Sequence, residues 1–391
     1  MSTETNTIYR NGYVFWAALV GAIVTSGFVF SQTLTIGSAA FNTTNLGVFW
    51  GLPIVVYDTF LLASTGLVFI ASLSLVFGFR QFDPIVKRCI WLALSGLVGA
   101  VAVLFMELPY PLRALLLSPV NLQFQSPLFW KILLVAAYTI LLLALILRLQ
   151  TVHEVRQAKA VAVPTLLVAI AIALVAGSVY GLMSMRPIWF GGEVPVVFLI
   201  ESLVGGFAFT VFFTYLAYGF STRNMPLDLQ TLFGGDFGRL FAVVIGLHLL
   251  LHAGRAITGL WSNADGLQVW QYIVGQPLWH IGFWGGVVLP LLMMASHAMR
   301  QSPMAQILAS IFVLLGLLIA RYEFIIGGQL VPLFKGSWAP DLLAYTPSFT
   351  EWVLLLAGIF VANTVYAFGD WQLDLEDDTP LAEEPLEQPA E

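Results

Sequence analysis

The sequence predicts an all-α integral membrane protein with about ten transmembrane helices. Hydrophobic residues make up 59% of the 391 positions and charged residues only 10%, whereas about a quarter of the residues in an ordinary soluble protein are charged. The apolar residues are also grouped into runs that approach or exceed the roughly 20 residues needed to cross a bilayer. We therefore expect a multi-pass membrane protein, with membrane lipid and no nucleic acid among its partners.

Ten apolar runs define the predicted helices. The first run has one basic residue ahead of it and no small-residue cleavage site, so we interpret it as a retained helix rather than a signal peptide. The runs begin near Gly12, Trp50, Ile90, Leu128, Val161, Val194, Leu240, Leu278, Met304 and Trp352.

Weak internal similarity divides the predicted membrane domain, residues 1–369, into two halves. Helices two and six each carry a proline followed after about one and a half turns by an acid, Asp58 in one and Glu201 in the other. Helices four and eight begin with the similar segments Pro-Leu-Phe-Trp and Pro-Leu-Trp-His. An offset of four helices predicts two parallel four-helix units. These are helices 2–5 (residues 50–184) and helices 6–9 (residues 194–332), flanked by helices 1 and 10.

Basic residues predict the orientation, because short cytoplasmic loops are enriched in Lys and Arg. Alternate connecting segments hold ten of the 16 bases: Arg10, Arg80, Lys87, Arg88, Arg148, Arg156, Lys159, Arg223, Arg239 and Arg300. This predicts a protein of the cytoplasmic (inner) membrane with both termini in the cytoplasm. Nine of the 22 acids lie in residues 370–391, and so polar a tail is predicted to be disordered.

Ionisable residues inside the predicted helices gather on the outer side of the membrane. Counting 1.5 Å per residue from the outer helix ends places most of them within about 12 Å of the surface, whereas the inner halves offer hydroxyls but no acids. Because charges inside a bilayer are costly, we interpret this belt as a functional site that opens outward. Its members are Asp58, Glu107, Glu201, His248, His252, Arg255, His280, Arg321 and Glu323.

A structural interpretation stays open for each member of this belt, because ion-pair networks also occur where no chemistry is done. The pairs expected in that case are Glu201 with His252 or Arg255, Asp58 with a hydroxyl group, and Arg321 with Glu323 or a carbonyl. His248, His252 and Arg255 recur at i, i+4 and i+7, which places them on one helix face. That face is expected to look into protein.

Residues 106–113 are the main candidate for a chemical site. A long apolar run ends there in Glu107, two prolines and Arg113. An acid and a base at the end of a membrane helix are costly and usually functional.

Metal chemistry is not expected in this chain. The single cysteine, Cys89, cannot form an internal disulfide, hold an iron–sulfur cluster or attach haem covalently. Any metal-based electron carrier would then lie on another subunit. His252 and His280, on neighbouring antiparallel helices, leave a b-type haem open as an alternative.

Several short motifs carry a resemblance to a known family. They are Trp50-Gly51, residues 106–111 where the family often has Leu-Asp-Leu-Gly-Arg-Pro, Phe124-Gln125-Ser126-Pro127, Pro187-Ile188-Trp189 with Glu193 and Pro195, and Arg321-Tyr322 with Gly327-Gly328-Gln329. On these motifs the chain resembles the NrfD/PsrC family, the membrane subunits of polysulfide reductase-like complexes. Within it, the chain is similar to the longer ten-helix, HybB-like branch that includes the membrane subunit of hydrogenase-2-type enzymes. The likeness covers about residues 50–366.

The resemblance implies a membrane anchor that exchanges electrons between membrane quinone (menaquinone or ubiquinone) and a ferredoxin-like iron–sulfur subunit. It implies that this partner docks on the outer face together with a catalytic metal subunit. The chain itself would hold no haem and no iron–sulfur cluster, and would contribute only the quinone site to the oxidoreductase.

Quinone chemistry moves protons, so proton donors and acceptors are needed beside the ring oxygens. Glu107 and Asp58 are the candidate catalytic residues, and Tyr110, Arg113, Trp130 and Gln32 are the candidate quinone contacts. Tyr110 and Arg113 can equally be an interface anchor and a snorkelling base. A proton path or structural ion pairs are assigned to Glu201, His248, His252, Arg255, Arg321 and Glu323.

The chain departs from the family pattern at two places. Pro109 and Tyr110 stand where Gly and Arg are common, so Arg113 is expected to supply the positive charge one turn later. Ala176 and the pair Gly285-Gly286 stand where the long branch often has a histidine and a glutamate associated with a proton route. Their loss argues against proton pumping by this chain.

Two other functions stay open. A secondary transporter is favoured by the internal repeat, the membrane-embedded charges and the prolines expected inside helices two, six and eight. The one-sided position of the acids and the long outer loops argue against it. A b-type cytochrome subunit is the remaining alternative.

Overall fold

The computed structural model describes residues 8, 12–43, 47–117, 120–261, 265–333, 340–373 and 375. The regular elements in these ranges are all helical, and ten helical spans are long and apolar enough to cross a membrane. The predicted fold class, an all-α multi-pass membrane protein of about ten helices, is confirmed.

We number the membrane helices in chain order. They are α1 (Tyr13–Ile36), α2 (Leu52–Leu75), α3 (Val86–Glu107), α4 (Pro127–Leu149), α5 (Lys159–Gly181), α6 (Val194–Ala217), α7 (Asp236–Leu260), α8 (Pro277–Ala295), α9 (Pro303–Gly327) and α10 (Phe349–Gln372). Shorter α-helices cover Pro111–Leu117, Leu227–Gly234 and Asp265–Val274. The predicted starts lie within a few residues of these bounds, because each apolar run begins where a polar or proline-containing segment ends.

Proline marks the first turn of five membrane helices, α2, α4, α6, α8 and α9, where its missing N–H breaks no hydrogen bond. Pro53 and Pro195 therefore lie at helix starts, and the expectation of prolines inside helices two and six is wrong. In α8, Pro290 is the second residue after a π-helical segment, Ile281–Val288. The support that prolines gave to the transporter alternative is correspondingly weaker.

The centre of the bundle is formed by α2, α3 and α6, the most buried of the ten spans. α2 packs against α3, α5 and α6, while α1 packs mainly on α10, which itself packs on α3. α1 is largely exposed and apolar, as expected for a helix that faces lipid. We call the end of the bundle where α3 finishes the Glu107 end, and the opposite one the Arg88 end.

Glycines allow α2 and α6 to pack with their backbones in direct contact. A Cβ atom added to Gly66 would lie 1.7 Å from the carbonyl oxygen of Ser202, and one added to Gly206 would lie 2.4 Å from the carbonyl carbon of Gly66. Small residues at such positions let two backbones pack directly in a membrane. This contact joins the first helices of the two predicted four-helix units, whose division remains a prediction.

A buried ion pair lies at the Arg88 end, where sequence reasoning expected no acid. Arg88 donates to the Asp370 carboxylate at 2.8 Å and also to the Tyr366 hydroxyl, and all three side chains are buried. α10 extends to Gln372, so Asp370 belongs to the bundle and not to the acidic tail assigned from residue 370. Residue 374 and residues 376–391 lie outside the described ranges.

Candidate functional site

Asp58 lies about 9 Å inside the Glu107 end of α2 and is completely buried. Its carboxylate accepts hydrogen bonds from Lys131 Nζ on α4 at 2.7 Å and from the Tyr180 hydroxyl on α5 at 2.6 Å. The Lys131 ammonium also lies 4.6 Å from the centre of the Tyr57 ring, a cation–π geometry. One of the two predicted catalytic carboxylates is therefore held in a closed, fully satisfied cluster.

The hydroxyl partner of Asp58 was expected, but Lys131 was missed. Its signal was present in the sequence as a lone lysine four residues into an apolar helix, at a depth where a charge needs a partner. Sequence spacing could not show that α4 turns this side chain towards α2, since that depends on the packing of the helices.

Aromatic rings cover the Asp58 cluster on the side that faces the Glu107 end. Tyr180 makes edge-to-face contacts with Trp50 and Trp189, with ring centroids 5.4 and 5.2 Å away. The two indoles stack on each other at 5.3 Å, and Trp189 Nε1 donates to the Phe324 carbonyl at 2.7 Å. Asp58 is thus screened from the Glu107 end by three large side chains.

Gln329 fixes the loop that leads into α2. Its Oε1 accepts from the backbone N–H groups of Phe49 and Trp50, and its Nε2 donates to the carbonyls of Trp50 and Ile325, all within 3.0 Å. The side chain is almost completely buried. Both of its polar atoms are therefore used to connect the start of α2 to the end of α9.

Arg186 performs a similar role from the loop after α5. It is buried and donates to the backbone carbonyls of Gly47, Gln329 and Val331. Trp189 and Gln329 belong to two of the sequence motifs on which the family resemblance rests. The structure shows that these segments are joined by Arg186.

The start of α10 is tied to the start of α2 by Glu351. Its carboxylate completes a capping box with Ser348 and accepts a hydrogen bond from the Tyr345 hydroxyl at 2.6 Å, which in turn accepts from the Leu52 N–H at 2.7 Å. Burial raises the pKa of Tyr345, and the adjacent Glu351 carboxylate raises it further. The Tyr345 hydroxyl consequently stays protonated and keeps donating its hydrogen bond to Glu351.

Glu107, the other predicted catalytic carboxylate, is the half-buried last residue of α3. Beside it an apolar groove of about 410 Å³ lies between α1, α3 and α4. The groove extends about 13 Å along α3, and it is lined by Ser26, Phe30, Leu97, Val98, Val101, Ala102, Phe105, Met106 and Thr139.

The four predicted quinone contacts are not gathered around Asp58. Tyr110 is 72% exposed in the turn after α3, and Arg113 is exposed on the short helix Pro111–Leu117. Trp130 is partly exposed and donates from Nε1 to the Phe124 carbonyl at 2.8 Å, while Gln32 is half-buried on α1. The single site expected from sequence therefore divides into the closed Asp58 cluster and a more open Glu107 region.

A third buried ion pair joins Glu201 on α6 to Arg321 on α9. Sequence reasoning paired Glu201 with His252 or Arg255, and Arg321 with Glu323 or a carbonyl, so the assigned partners are wrong. The physical reason is helix register. Arg321 turns towards α6, and the guanidinium of Arg255 instead donates to the Ile188 carbonyl.

The histidine face of α7 looks into the protein, as predicted. His248 is buried, and its ring lies 5.7 Å from that of His252. His252 packs at 5.7 Å against Phe283 of α8, and the Arg255 guanidinium lies 4.9 Å from the Phe324 ring centre.

A cavity of about 50 Å³ lies between these side chains. It is bounded by α6, α7, α8 and α9 and by the short helix Asp265–Val274, and it borders both members of the Glu201–Arg321 pair. Its lining residues are Ile188, Val197, Phe198, Glu201, His252, Arg255, Trp270, Ile273, Trp279, Ala320, Arg321, Glu323 and Phe324.

The haem alternative needs open space between His252 and His280. The indole of Trp279 contacts both rings, with centroids 6.3 and 5.1 Å away. The adjoining cavity of about 50 Å³ is far smaller than a porphyrin. The geometry of this region does not fit a haem held by these two histidines.

Comparison with known proteins gives a consistent result along most of the chain. The profile of the family described as "Polysulphide reductase, NrfD" matches residues 41–333. A selenate reductase subunit of Mesobacillus selenatarsenatis is 25% identical over 352 aligned residues, covering 78% of this chain and 80% of that protein. A protein of Halobacterium salinarum assigned as a dimethyl sulfoxide reductase membrane subunit is 22% identical over 382 residues, covering 85% of each.

Proposed function

The chain belongs to the polysulphide reductase NrfD family, and from this premise we propose that it is the quinone-reactive membrane subunit of a respiratory oxidoreductase. In this proposal it exchanges electrons between membrane quinone and an iron–sulfur subunit docked at the Glu107 end. The similar proteins support it, since one is a selenate reductase subunit and the other is assigned as a reductase membrane subunit. The catalytic metal centre then belongs to a further partner.

The observation that carries the proposal is the apolar groove beside Glu107. Its walls are almost entirely hydrocarbon and they reach about 13 Å along α3, which suits an isoprenoid tail. The groove ends at Met106, the residue that precedes Glu107 in the chain. A bound quinone supplies the two-electron, two-proton redox chemistry there.

Glu107 is the proton-exchanging group in this proposal. It is half-buried, it is the last residue of a membrane helix, and it directly follows Met106 of the groove. Such a group can hold a proton beside a ring oxygen and return it to water, which is the task of a general acid and base.

Asp58 is assigned a positioning role, which revises the hypothesis made from sequence. Its carboxylate is fully buried and already accepts from Lys131 and Tyr180. This cluster holds α2, α4 and α5 in register, and α4 forms one wall of the groove through Thr139.

The loop between α3 and α4 offers a docking face for the iron–sulfur partner. It carries several exposed apolar side chains at the Glu107 end, which is the outer side by the distribution of Lys and Arg. Exposed apolar patches of this kind mark interaction surfaces. They are Tyr110, Leu112, Leu116, Leu117, Val120, Leu122 and Phe124.

Purification from native membranes tests the proposal. We expect the chain to co-purify with an iron–sulfur protein, detected by its electron paramagnetic resonance signal, and with extractable quinone. The Leu116→Asp variant is expected to lose the partner, whereas Leu227→Asp, a similarly exposed leucine (67% against 77%) at the Arg88 end, should keep it. A chain that is isolated alone and binds no quinone-site inhibitor would contradict the proposal.

A further inference from the structure

The cavity around Glu201 and Arg321 is separate from the quinone groove and has a different character. Its lining includes five ionisable side chains, those of Glu201, His252, Arg255, Arg321 and Glu323. A volume of about 50 Å³ is enough for a few water molecules, since one water needs about 10–15 Å³ of such space. An internal polar space of this size in a membrane bundle is expected to be hydrated.

Buried polar atoms beside the cavity lack protein partners. Within the described residues, Oε1 of Glu323, Nε1 of Trp279 and both ring nitrogens of His248 are buried without a hydrogen bond. Glu323 and Trp279 line the cavity, and His248 lies one turn along α7 from His252. Buried polar groups are rarely left unpaired, and ordered water commonly supplies the missing bonds. We therefore expect bound waters to hydrogen-bond to these donors and acceptors.

The Glu201–Arg321 pair also borders a second space. A smaller cavity of about 20 Å³ lies between α2, α6 and α9, and it is lined by Thr59, Leu62, Ala63, Glu201, Gly205, Phe209, Leu314, Leu317 and Arg321. The ion pair is thus the common wall of the two cavities. The second one reaches α2 at Thr59, the residue after Asp58.

We propose that the larger cavity is a hydrated proton-exchange site in which Glu323 takes up and releases a proton through bound water. In the uptake step a hydronium ion in the cavity gives its proton to the Glu323 carboxylate, which leaves a neutral acid and a water molecule. Release is the reverse step. His252 hydrogen-bonds to the same waters, and the Glu201–Arg321 pair stays ionised as the wall between the two cavities.

The charged groups around the site explain why Glu323 has this role. Glu201 is neutralised by Arg321. Arg255 donates a hydrogen bond to the Ile188 carbonyl, and its positive charge is attracted electrostatically by Glu193 and by Glu201. Glu323 is the cavity carboxyl for which the described residues show an unpartnered oxygen, so it can change its protonation without breaking an ion pair.

Infrared difference spectroscopy during a pH titration tests this proposal on the whole chain in lipid nanodiscs. The parent protein is expected to show the carbonyl stretch of a protonated carboxylic acid, which titrates with pH and shifts in D₂O within seconds. Glu323→Gln should remove the Glu323 component of this band while other titrating acids, such as Glu107, keep theirs, and Glu323→Asp should keep a titrating component at a shifted position. Glu154→Gln, which removes an exposed acid, should leave it unchanged.

Two results would overturn the proposal. One is a titrating band that is identical in the parent, Glu323→Gln and Glu323→Asp proteins. The other is a parent protein without any titrating acid band, because a permanently ionised structural carboxylate gives none. The assay needs neither quinone nor a partner subunit, so its outcome is independent of the proposed electron-transfer function.

Discussion

The ammonium of Lys131 on α4 lies 2.7 Å from the carboxylate of Asp58 on α2, and both side chains are buried. α4 is otherwise among the more exposed spans of the bundle. A specific charged contact therefore holds a largely lipid-facing helix against the central one. The same helix forms part of the groove beside Glu107.

Removing one member of the Lys131–Asp58 pair should destabilise the folded protein more than removing both. Lys131→Met leaves the Asp58 charge buried without its cation, and such changes cost about 3–5 kcal/mol. The double variant Lys131→Met with Asp58→Leu should recover much of that loss, because apolar residues pack well in the same volume. The measurement is the thermal unfolding of the purified protein in nanodiscs.

Asp236→Asn is the control for this series, since it removes an exposed ion pair with Arg239. It should change the unfolding free energy by no more than about 0.5 kcal/mol. Equal destabilisation by the single and double variants would show that the pair is not an interdependent unit.

Alanine substitution at two neighbouring glycines of α8 should have different effects on stability. A Cβ atom on Gly286 would lie 2.3 Å from the Cα atom of Gly316 on α9, whereas one on Gly285 meets nothing within 4 Å. Gly286→Ala should lower stability by about 1–3 kcal/mol or more through overpacking. Gly285→Ala should leave it unchanged or slightly raised. Equal melting temperatures of the two variants would contradict the observed helix contact.

Gln329→Leu should loosen the loop at the start of α2. The substitution leaves the N–H groups of Phe49 and Trp50 without their acceptor, at about 1–3 kcal/mol for each buried group. Gln271→Leu, on an exposed position, is the matched control. Limited proteolysis should cut the Gln329→Leu protein faster in the segment before α2, and identical digestion of both variants would count against this anchor.

Filling the groove should interfere with quinone while leaving the bundle intact. Ala102 lines the groove between α1, α3 and α4, so Ala102→Trp should weaken binding of a quinone-site inhibitor at least about tenfold, which corresponds to 1.4 kcal/mol. Leu167→Trp places the same side chain on an exposed part of α5 and should bind inhibitor normally. Unaltered inhibitor affinity in the Ala102→Trp protein would show that the groove is not part of the quinone site.

The fold was predictable because bilayer-spanning runs and proline helix starts are local properties of the sequence. The acids, histidines and arginines of the outer belt were recognised for the same reason, since a charge in an apolar run is conspicuous, but Lys131 was missed. Their partners were not predictable. Glu201 meets Arg321, 120 positions away, and Arg88 meets Asp370, because helix packing and rotation decide which faces meet.

The most direct measurement compares quinone-linked electron transfer in the parent complex and in the Glu107→Gln variant. An artificial redox dye that exchanges electrons directly with the partner subunits serves as the control for assembly. We expect quinone-linked turnover of the variant to fall by about 100-fold or more, the usual contribution of a general acid or base, and dye-linked turnover to be unchanged. Quinone-linked turnover equal to that of the parent complex would contradict the assignment of proton exchange to Glu107.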